Sequence, residues 1–240
     1  MKSIRALASA VLVLVCVAVC GVTAFAMNTD FSTEQISPDK QKSFIQNIGI
    51  SVFTEEPRKT EIECFDVGEN GLVAVGVGTG ETKKVCVYAL DGEFQYGYSF
   101  SCSGSFGVEW DGDNIIIYFV RSDAAVSVDP NGKVNDILKI KNTSENNSHW
   151  NNSVFATKKL VDSTEYTLKN DMGFLNVFAT AHSQITIRDQ SGKESIIYDV
   201  SQAYSEKILF VTIAIFVFAL AVILTLIIKV IKSVREQISN

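Results

Sequence analysis

The feature of the sequence that most restricts its fold is an uncharged apolar run of 21 residues near the end of the chain, Ile208 to Ile228. About 20 residues at 1.5 Å each span the ~30 Å hydrocarbon core of a bilayer. The run has no Pro or Gly, and its only polar side chains are two Thr hydroxyls, so it lacks the groups that form an ion path or a proton relay. We therefore predict a transmembrane anchor helix over 207–229 and a short tail, 230–240.

The basic residues around this helix indicate its orientation. Lys229, Lys232 and Arg235 follow the apolar run, whereas Lys207 alone directly precedes it. Because Lys and Arg concentrate on the cytoplasmic side of a membrane segment, we expect the tail to be cytoplasmic. The sequence thus predicts a single-pass protein of the cell membrane with an exterior N-terminal domain and a cytoplasmic C-terminus.

The start of the chain has the pattern of a secretory signal peptide. Lys2 and Arg5 precede a long apolar stretch, and Ala24 and Ala26 are the small residues at the −3 and −1 positions of a cleavage site. We predict that residues 1–26 are removed after Ala26. The alternative is an uncleaved N-terminal membrane helix, since the stretch is also long enough to span a bilayer.

The charge of the exterior region excludes one class of partner. Between residues 27 and 207 the chain has 16 Lys and Arg against 26 Asp and Glu, a formal charge of −10. Nucleic-acid binding needs clustered basic side chains on the phosphates, so we expect no nucleic-acid partner.

The cysteines and histidines give no pattern of a metal or cofactor site. Cys64, Cys86 and Cys102 are an odd number in the exterior region, which favours buried free thiols over a disulfide framework, although one pair could bridge. No C-x-x-C occurs, and only His149 and His182 are available, so no metal and no cofactor is predicted.

The exterior region divides into a leader, 27–60, and a β-rich part, 61–206. In the leader, Ser37 as N-cap, Pro38 at the first position and Gly49 as a stop predict a short helix over 38–48.

The β-rich part alternates short β segments with turn signals such as Asp-Gly and Asn-Gly. We predict about 12 antiparallel strands: Ile62–Val67, Leu72–Val77, Val85–Leu90, Phe94–Phe100, Phe106–Trp110, Ile115–Val120, Ala124–Val128, Val134–Ile140, Glu165–Leu168, Phe174–Phe178, Gln184–Arg188 and Glu194–Val200.

These strands form three sets of four that look like one repeat of about 40 residues. An aromatic residue lies 26 or 27 positions before a late turn glycine in each set. The pairs are Phe65 with Gly92, Phe106 with Gly132, and Tyr166 with Gly192. The third set is delayed by an Asn- and Ser-rich insert, 141–160, which we expect to be a loop.

A four-stranded repeat of this length resembles a β-propeller blade. The stretches from Val85 to Phe94 and from Val126 to Val134 are similar to the turn between the third and fourth strands of NHL-type or YVTN-type propellers. The resemblance implies an architecture of blades and a binding surface, with no catalytic residues to transfer. Small proteins with one anchor of this kind also resemble those of Gram-positive bacteria.

The number of repeats departs from that family. Closed propellers have at least about four blades, and the sequence shows three. The repeats could form an open fan, residues 44–60 could complete another blade, or a homodimer could close a ring. The alternative fold is an ordinary antiparallel β-sandwich.

Four aromatic residues are candidates for a ligand or partner surface: Trp110, Trp150, Phe106 and Tyr98. Aromatic side chains dominate binding hot spots, although in strands they more often belong to the core.

A hydrolase built on His182 beside Ser183 lacks the G-x-S-x-G nucleophile motif. We therefore predict no enzyme. The expected function is a binding or scaffold module for an unknown protein partner or surface ligand. The alternative is an accessory subunit of a membrane complex, assembled through 208–228.

Overall fold

The computed structural model of the protein describes residues 27–238. The predicted signal peptide, with Ala24 and Ala26, lies outside the described residues. Within them, 14 strands form three antiparallel sheets, and a long apolar helix follows the last sheet. The predicted β-rich domain with an apolar C-terminal helix is therefore confirmed, whereas the described residues form no closed barrel or propeller.

The leader contains strand β1 (Thr33–Gln35), helix α1 (Pro38–Ile48) and strand β2 (Ser51–Phe53). Ser37 is extended, Pro occupies the first turn, and Gly49 ends the helix in the left-handed region at φ 57°. Gly49 donates its N–H to a carbonyl of the last helical turn at 3.1 Å. The predicted helix over 38–48 is thus confirmed, with Pro38 and Gly49 acting as expected. Ser37 stands at the N-cap position, but its side chain makes no capping hydrogen bond within the described residues.

Each sheet is built around a four-stranded meander, in which neighbouring strands follow one another in the chain. Sheet 1 contains β3 (Ile62–Val67), β4 (Val73–Thr79), β5 (Thr82–Tyr88) and β6 (Phe94–Ser101). Sheet 2 contains β7 (Phe106–Asp111), β8 (Asn114–Phe119), β9 (Ala124–Val128) and β10 (Val134–Ile140). Sheet 3 contains β11 (Lys158–Val161), β12 (Thr164–Lys169), β13 (Gln184–Arg188) and β14 (Glu194–Asp199). The eight strands predicted for the first two repeats are confirmed in order.

The two leader strands extend the sheets. β2 pairs with β6 at the edge of sheet 1, and β1 pairs with β10 at the edge of sheet 2. Both pairings are antiparallel. An exposed edge strand invites pairing with other chains, so the leader protects one edge of each of these two sheets.

The third repeat differs from its prediction at two places. Its first strand, β11, comes from the insert 141–160, which also contains helix α2 (Ser144–His149) and a π-helical turn (Trp150–Val154) rather than only a loop. The predicted strand Phe174–Phe178 is instead part of a 3₁₀ helix, Gly173–Phe178.

Local hydrogen bonds explain both corrections. The Thr143 hydroxyl accepts from the N–H of Asn146 at 3.2 Å and caps α2, as Thr does at helix starts. The Asn176 side chain accepts from the N–H of Met172 at 2.9 Å, and Gly173 has a φ of 59°. A left-handed residue and a side-chain bond of this kind favour a helical turn over a strand.

The core is layered, with sheet 1 between the other two. Phe65, Val75 and Tyr88 of sheet 1 belong to the cluster shared with sheet 3. Their neighbours Cys64 and Val87 belong to the cluster shared with sheet 2. Since side chains of a strand alternate between its two faces, sheet 1 is buried on both faces.

The three cysteines of the described region lie free in these layers. Cys64, Cys86 and Cys102 are buried and form no disulfide. Burial raises the pKa of the Cys86 thiol to about 12 and raises that of the other two thiols as well. They therefore behave as small apolar side chains. Buried free thiols were also the alternative favoured in the sequence analysis, because three cysteines cannot all pair.

The last helix, α3 (Ser201–Ile238), begins two residues after β14 ends. Its first turns pack on the domain, because Tyr204 and Ile208 belong to the core shared by sheets 1 and 3. The Tyr204 hydroxyl accepts from the N–H groups of Thr180 and Ala181, each at 3.1 Å. The part over Ser201–Ile231 is long and apolar enough to cross a membrane, which is consistent with a single-pass membrane protein.

Candidate functional site

The four aromatic candidates do not form one surface. Tyr98 and Phe106 are fully buried in the core between sheets 1 and 2, and the Tyr98 hydroxyl donates to the carbonyl of Asp129 at 2.7 Å. Trp150 is half-buried and stacks on Phe155 with the ring centroids 5.7 Å apart. Trp110 lines a polar cleft, and Phe106 lines a different cavity.

This cleft lies where the first strands of all three sheets converge. It consists of two adjoining cavities of about 440 and 970 Å³, which share Asp66 of β3, Trp110 of β7 and Leu160 of β11. We call it the distal cleft, because it opens at the end of β3 that lies away from α3. Asp66 is four residues after Ile62, which pairs with the segment before β13, so the two ends are about 13 Å apart along the strand.

A buried ion pair forms the floor of the distal cleft. The Lys159 ammonium lies 2.7 Å from Oδ1 of Asp66, and both side chains are mostly buried. The N–H of Trp110 donates to Oδ2 of the same carboxylate at 2.7 Å. Burial raises the pKa of Asp66, and the nearby Lys159 charge opposes that rise. The pair therefore joins all three sheets at one point.

A second carboxylate, Glu109, collects three donors beside the first. It accepts from the Tyr118 hydroxyl at 2.6 Å and from the Ser153 hydroxyl at 3.0 Å, and His149 Nε2 lies 3.2 Å away. Burial and the Glu109 charge raise the pKa of Tyr118. Ser153 and His149 both face the carboxylate, whereas an activated nucleophile needs its base on the hydroxyl. The arrangement orients Glu109 and ties the insert to sheet 2.

The rim of the distal cleft is acidic, with one large apolar side chain. Glu69, Asp111 and Asp162 line it together with Leu160, which is 74% exposed. The indole Nε1 of Trp110 is buried and has no hydrogen-bond partner within the described part of the chain. Lys158 and Lys159 also line the smaller of the two cavities, so the carboxylates dominate only at the rim of the larger one. Rim carboxylates beside the exposed Leu160 are the chemistry of a site for a cationic group next to an apolar one.

A second cavity, of about 570 Å³, lies at the other end of β3, near α3. Glu61, Glu63, Phe106 and His182 are among the residues that line it. Glu63 pairs with the buried ammonium of Lys83, and burial lowers the pKa of His182. Its acidic and imidazole groups come from sheet 1 and from the segment before β13.

The hydrolase residues are not assembled around this second cavity. Ser183 is fully buried, and its hydroxyl lies 2.9 Å from the Ser201 hydroxyl, at the start of α3. His182 pairs through its backbone with Ile62. A Ser-His site needs the imidazole on the nucleophile, and the hydroxyl of Ser183 is instead used to join β13 to α3.

Sequence reasoning missed the polar residues of the distal cleft. Asp66 and Lys159 are 93 positions apart, and Glu109 and Ser153 are 44 apart. One signal was available. Asp66 and Glu109 are charged residues in the second half of the first strands of two consecutive repeats, and those strands are largely buried. Charged side chains are rarely buried unless they are paired.

No family model, curated protein or solved structure matches this chain. The function proposed for it rests on its own geometry, above all on the distal cleft and on α3.

Proposed function

We propose that this chain is a membrane-anchored binding module whose distal cleft takes a basic segment of a partner protein. The observation that carries the proposal is the convergence of all three sheets on one acidic cleft at the end of the domain away from α3. In this proposal the signal peptide, 1–26, is removed, the domain is exterior to the cell membrane, and the cleft faces away from the bilayer.

The arrangement of the sheets supports a propeller-like fan over a sandwich. Among the first strands of the three repeats, β3 contacts both β7 and β11. Blades of a propeller meet through their first strands in this way, whereas two packed sheets would make a sandwich. Repeat β architectures bind partners where their repeats converge, although that is an analogy from architecture.

The chemistry of the cleft favours a basic, partly apolar ligand. Carboxylates at its rim attract Lys or Arg over a distance that salt shortens. The Leu160 side chain is mostly exposed to water and offers an apolar contact that a bound partner would cover. A partner segment with basic residues next to an apolar residue would satisfy both features.

Site-specific photocrosslinking in native membranes tests the proposal. A benzophenone amino acid placed at Leu160 is expected to give one discrete adduct, and the same group at Ile196, 50% exposed on β14, is expected to give none. The adduct should weaken as the salt concentration rises. Equal adducts at both positions, or no adduct at Leu160, would contradict a partner in the cleft.

Charge reversal then separates the cleft from general surface charge. Asp162→Lys, on the rim, is expected to abolish the Leu160 adduct, whereas Glu55→Lys, an exposed leader residue outside the cleft, is expected to leave it unchanged. Loss of the adduct in both variants would indicate long-range attraction only.

An accessory subunit of a membrane complex is the second candidate, and the seating of α3 supports it. Because Tyr204 and Ile208 lie in the core, a partner bound to the helix would be coupled to the domain. Replacing residues 209–228 with an unrelated apolar helix keeps those contacts. Under this candidate the partner should no longer co-purify, and its retention would contradict the candidate.

A further inference from the structure

The 3₁₀ helix Gly173–Phe178 exposes three large apolar side chains within five residues. Phe174 is 75% exposed, Val177 85% and Phe178 53%, while Leu175 is buried. A 3₁₀ helix has three residues per turn, so Phe174 and Val177 share the outer edge and Leu175 points inward. Contiguous exposed apolar side chains mark membrane or protein contacts.

This segment lies beside the point where α3 leaves the domain. Leu175 belongs to the same core cluster as Tyr204 and Ile208. The backbone of Thr180 and Ala181, just after the segment, donates to the Tyr204 hydroxyl. Ile208 is the first residue of the uncharged run, and side chains from Leu209 onward are largely exposed. The exposed edge is therefore at the level where the apolar part of α3 begins.

The absence of a linker fixes what faces this edge. α3 starts two residues after β14 and continues as one helix through the apolar run. When α3 crosses a bilayer, the surface of that bilayer must lie close to Ile208 and hence close to the 3₁₀ helix, which contacts α3 directly. A bilayer is thus the partner that the fold itself brings to these side chains.

We propose that Gly173–Phe178 is a membrane-docking element: Phe174, Val177 and Phe178 insert into the interface of the leaflet that α3 enters. Apolar side chains held at this depth bind the boundary between headgroups and acyl chains. The domain then has two contacts with the bilayer, the helix and this edge, which restrict its tilt. The inference rests on α3 spanning the membrane and is independent of a ligand in the distal cleft.

Quenching of a fluorophore by labelled lipids in vesicles tests this inference on the full chain. Cys16→Ala and Cys20→Ala give a background in which the remaining cysteines are buried. An NBD fluorophore is attached to Val177→Cys or, separately, Phe174→Cys in phosphatidylcholine–phosphatidylglycerol vesicles. We expect blue-shifted emission and several-fold stronger quenching by lipids with a shallow nitroxide than at a water-exposed control.

Two positions serve as controls. Leu160→Cys matches Phe174 in exposure, at 74% against 75%, but lies at the distal cleft, so it should stay unquenched. Phe216→Cys, in the middle of the apolar run, should be quenched most by a deep nitroxide.

Each other outcome overturns the proposal. If Phe216 is quenched while Val177 and Phe174 behave like Leu160, the edge does not reach the bilayer. A blue shift at Val177 without lipid quenching would mean that protein, such as a second copy, covers the edge. If Phe216 is not quenched, α3 is not in the bilayer, and the premise fails.

Discussion

At the residue scale, the Asp66–Lys159 ion pair shows how a buried charge depends on its partner. Both side chains are mostly buried, and they join β3 to β11 across 93 positions of sequence. A buried pair contributes little net stability over an apolar pair, but removing one partner leaves an uncompensated charge. Burial raises the pKa of Asp66, and the Lys159 charge opposes that rise.

Lys159→Met is therefore expected to reduce the free energy of unfolding by about 3 kcal/mol at neutral pH. Without Lys159 the folded pKa of Asp66 rises further above its unfolded value of about 3.9. Stability is lost as pH rises through a raised carboxyl pKa, so the deficit should shrink as pH falls toward that unfolded value. Denaturant unfolding in detergent across this range measures it.

The double variant Lys159→Met, Asp66→Asn is the control, since it removes both charges. It should recover much of the lost stability at neutral pH and show no such pH dependence. A deficit in Lys159→Met that is constant with pH would contradict this account.

At the scale of elements, the leader strands depend on close packing against the sheets that they extend. β2 lies along β6, where Gly97 pairs with Phe53. A Cβ at Gly97 would come within 2.3 Å of the Phe53 ring and 2.6 Å of the Val85 carbonyl oxygen. Gly97 is thus required because two chain segments approach closely there.

Gly97→Ala is expected to destabilise the domain by about 2 kcal/mol through overpacking. Adding Phe53→Ala relieves the contact with the ring but leaves the contact with the Val85 carbonyl. In a double-mutant cycle of unfolding free energies, the double variant should therefore still be less stable than Phe53→Ala alone, because the contact with the Val85 carbonyl remains. Wild-type stability in Gly97→Ala would show that β6 can shift.

At the scale of the whole molecule, the domain and α3 act as one body, because the helix starts inside the core. Tyr204 connects them through its ring, which is buried, and through its hydroxyl, which accepts two backbone N–H groups. Tyr204 thus ties the start of the helix to the segment between β12 and β13. That segment includes the exposed edge proposed to contact lipid.

Tyr204→Phe keeps the ring and removes the acceptor. The amides of Thr180 and Ala181 should then exchange about fivefold faster, since a hydrogen bond contributes about 1 kcal/mol. Hydrogen–deuterium exchange of the full chain in nanodiscs measures this on peptides covering 173–183. Tyr166→Phe, a buried tyrosine of sheet 3, is the matched control. Unchanged exchange in Tyr204→Phe would mean that these amides are protected by other contacts.

The sequence by itself determined the features that depend on local patterns. The uncharged run from Ile208, the cap and stop of α1, and the eight strands of the first two repeats all follow from residues close together in the chain. Hydrophobic periodicity and turn residues encode such elements directly.

Only the tertiary structure decided the features that depend on distant partners. The distal cleft forms where Asp66 of sheet 1 meets Lys159 of sheet 3 and Trp110 of sheet 2. α3 starts at Ser201, before the apolar run, because Tyr204 and Ile208 pack in the core shared by sheets 1 and 3. Short apolar runs are locally ambiguous, and burial against distant neighbours resolves them.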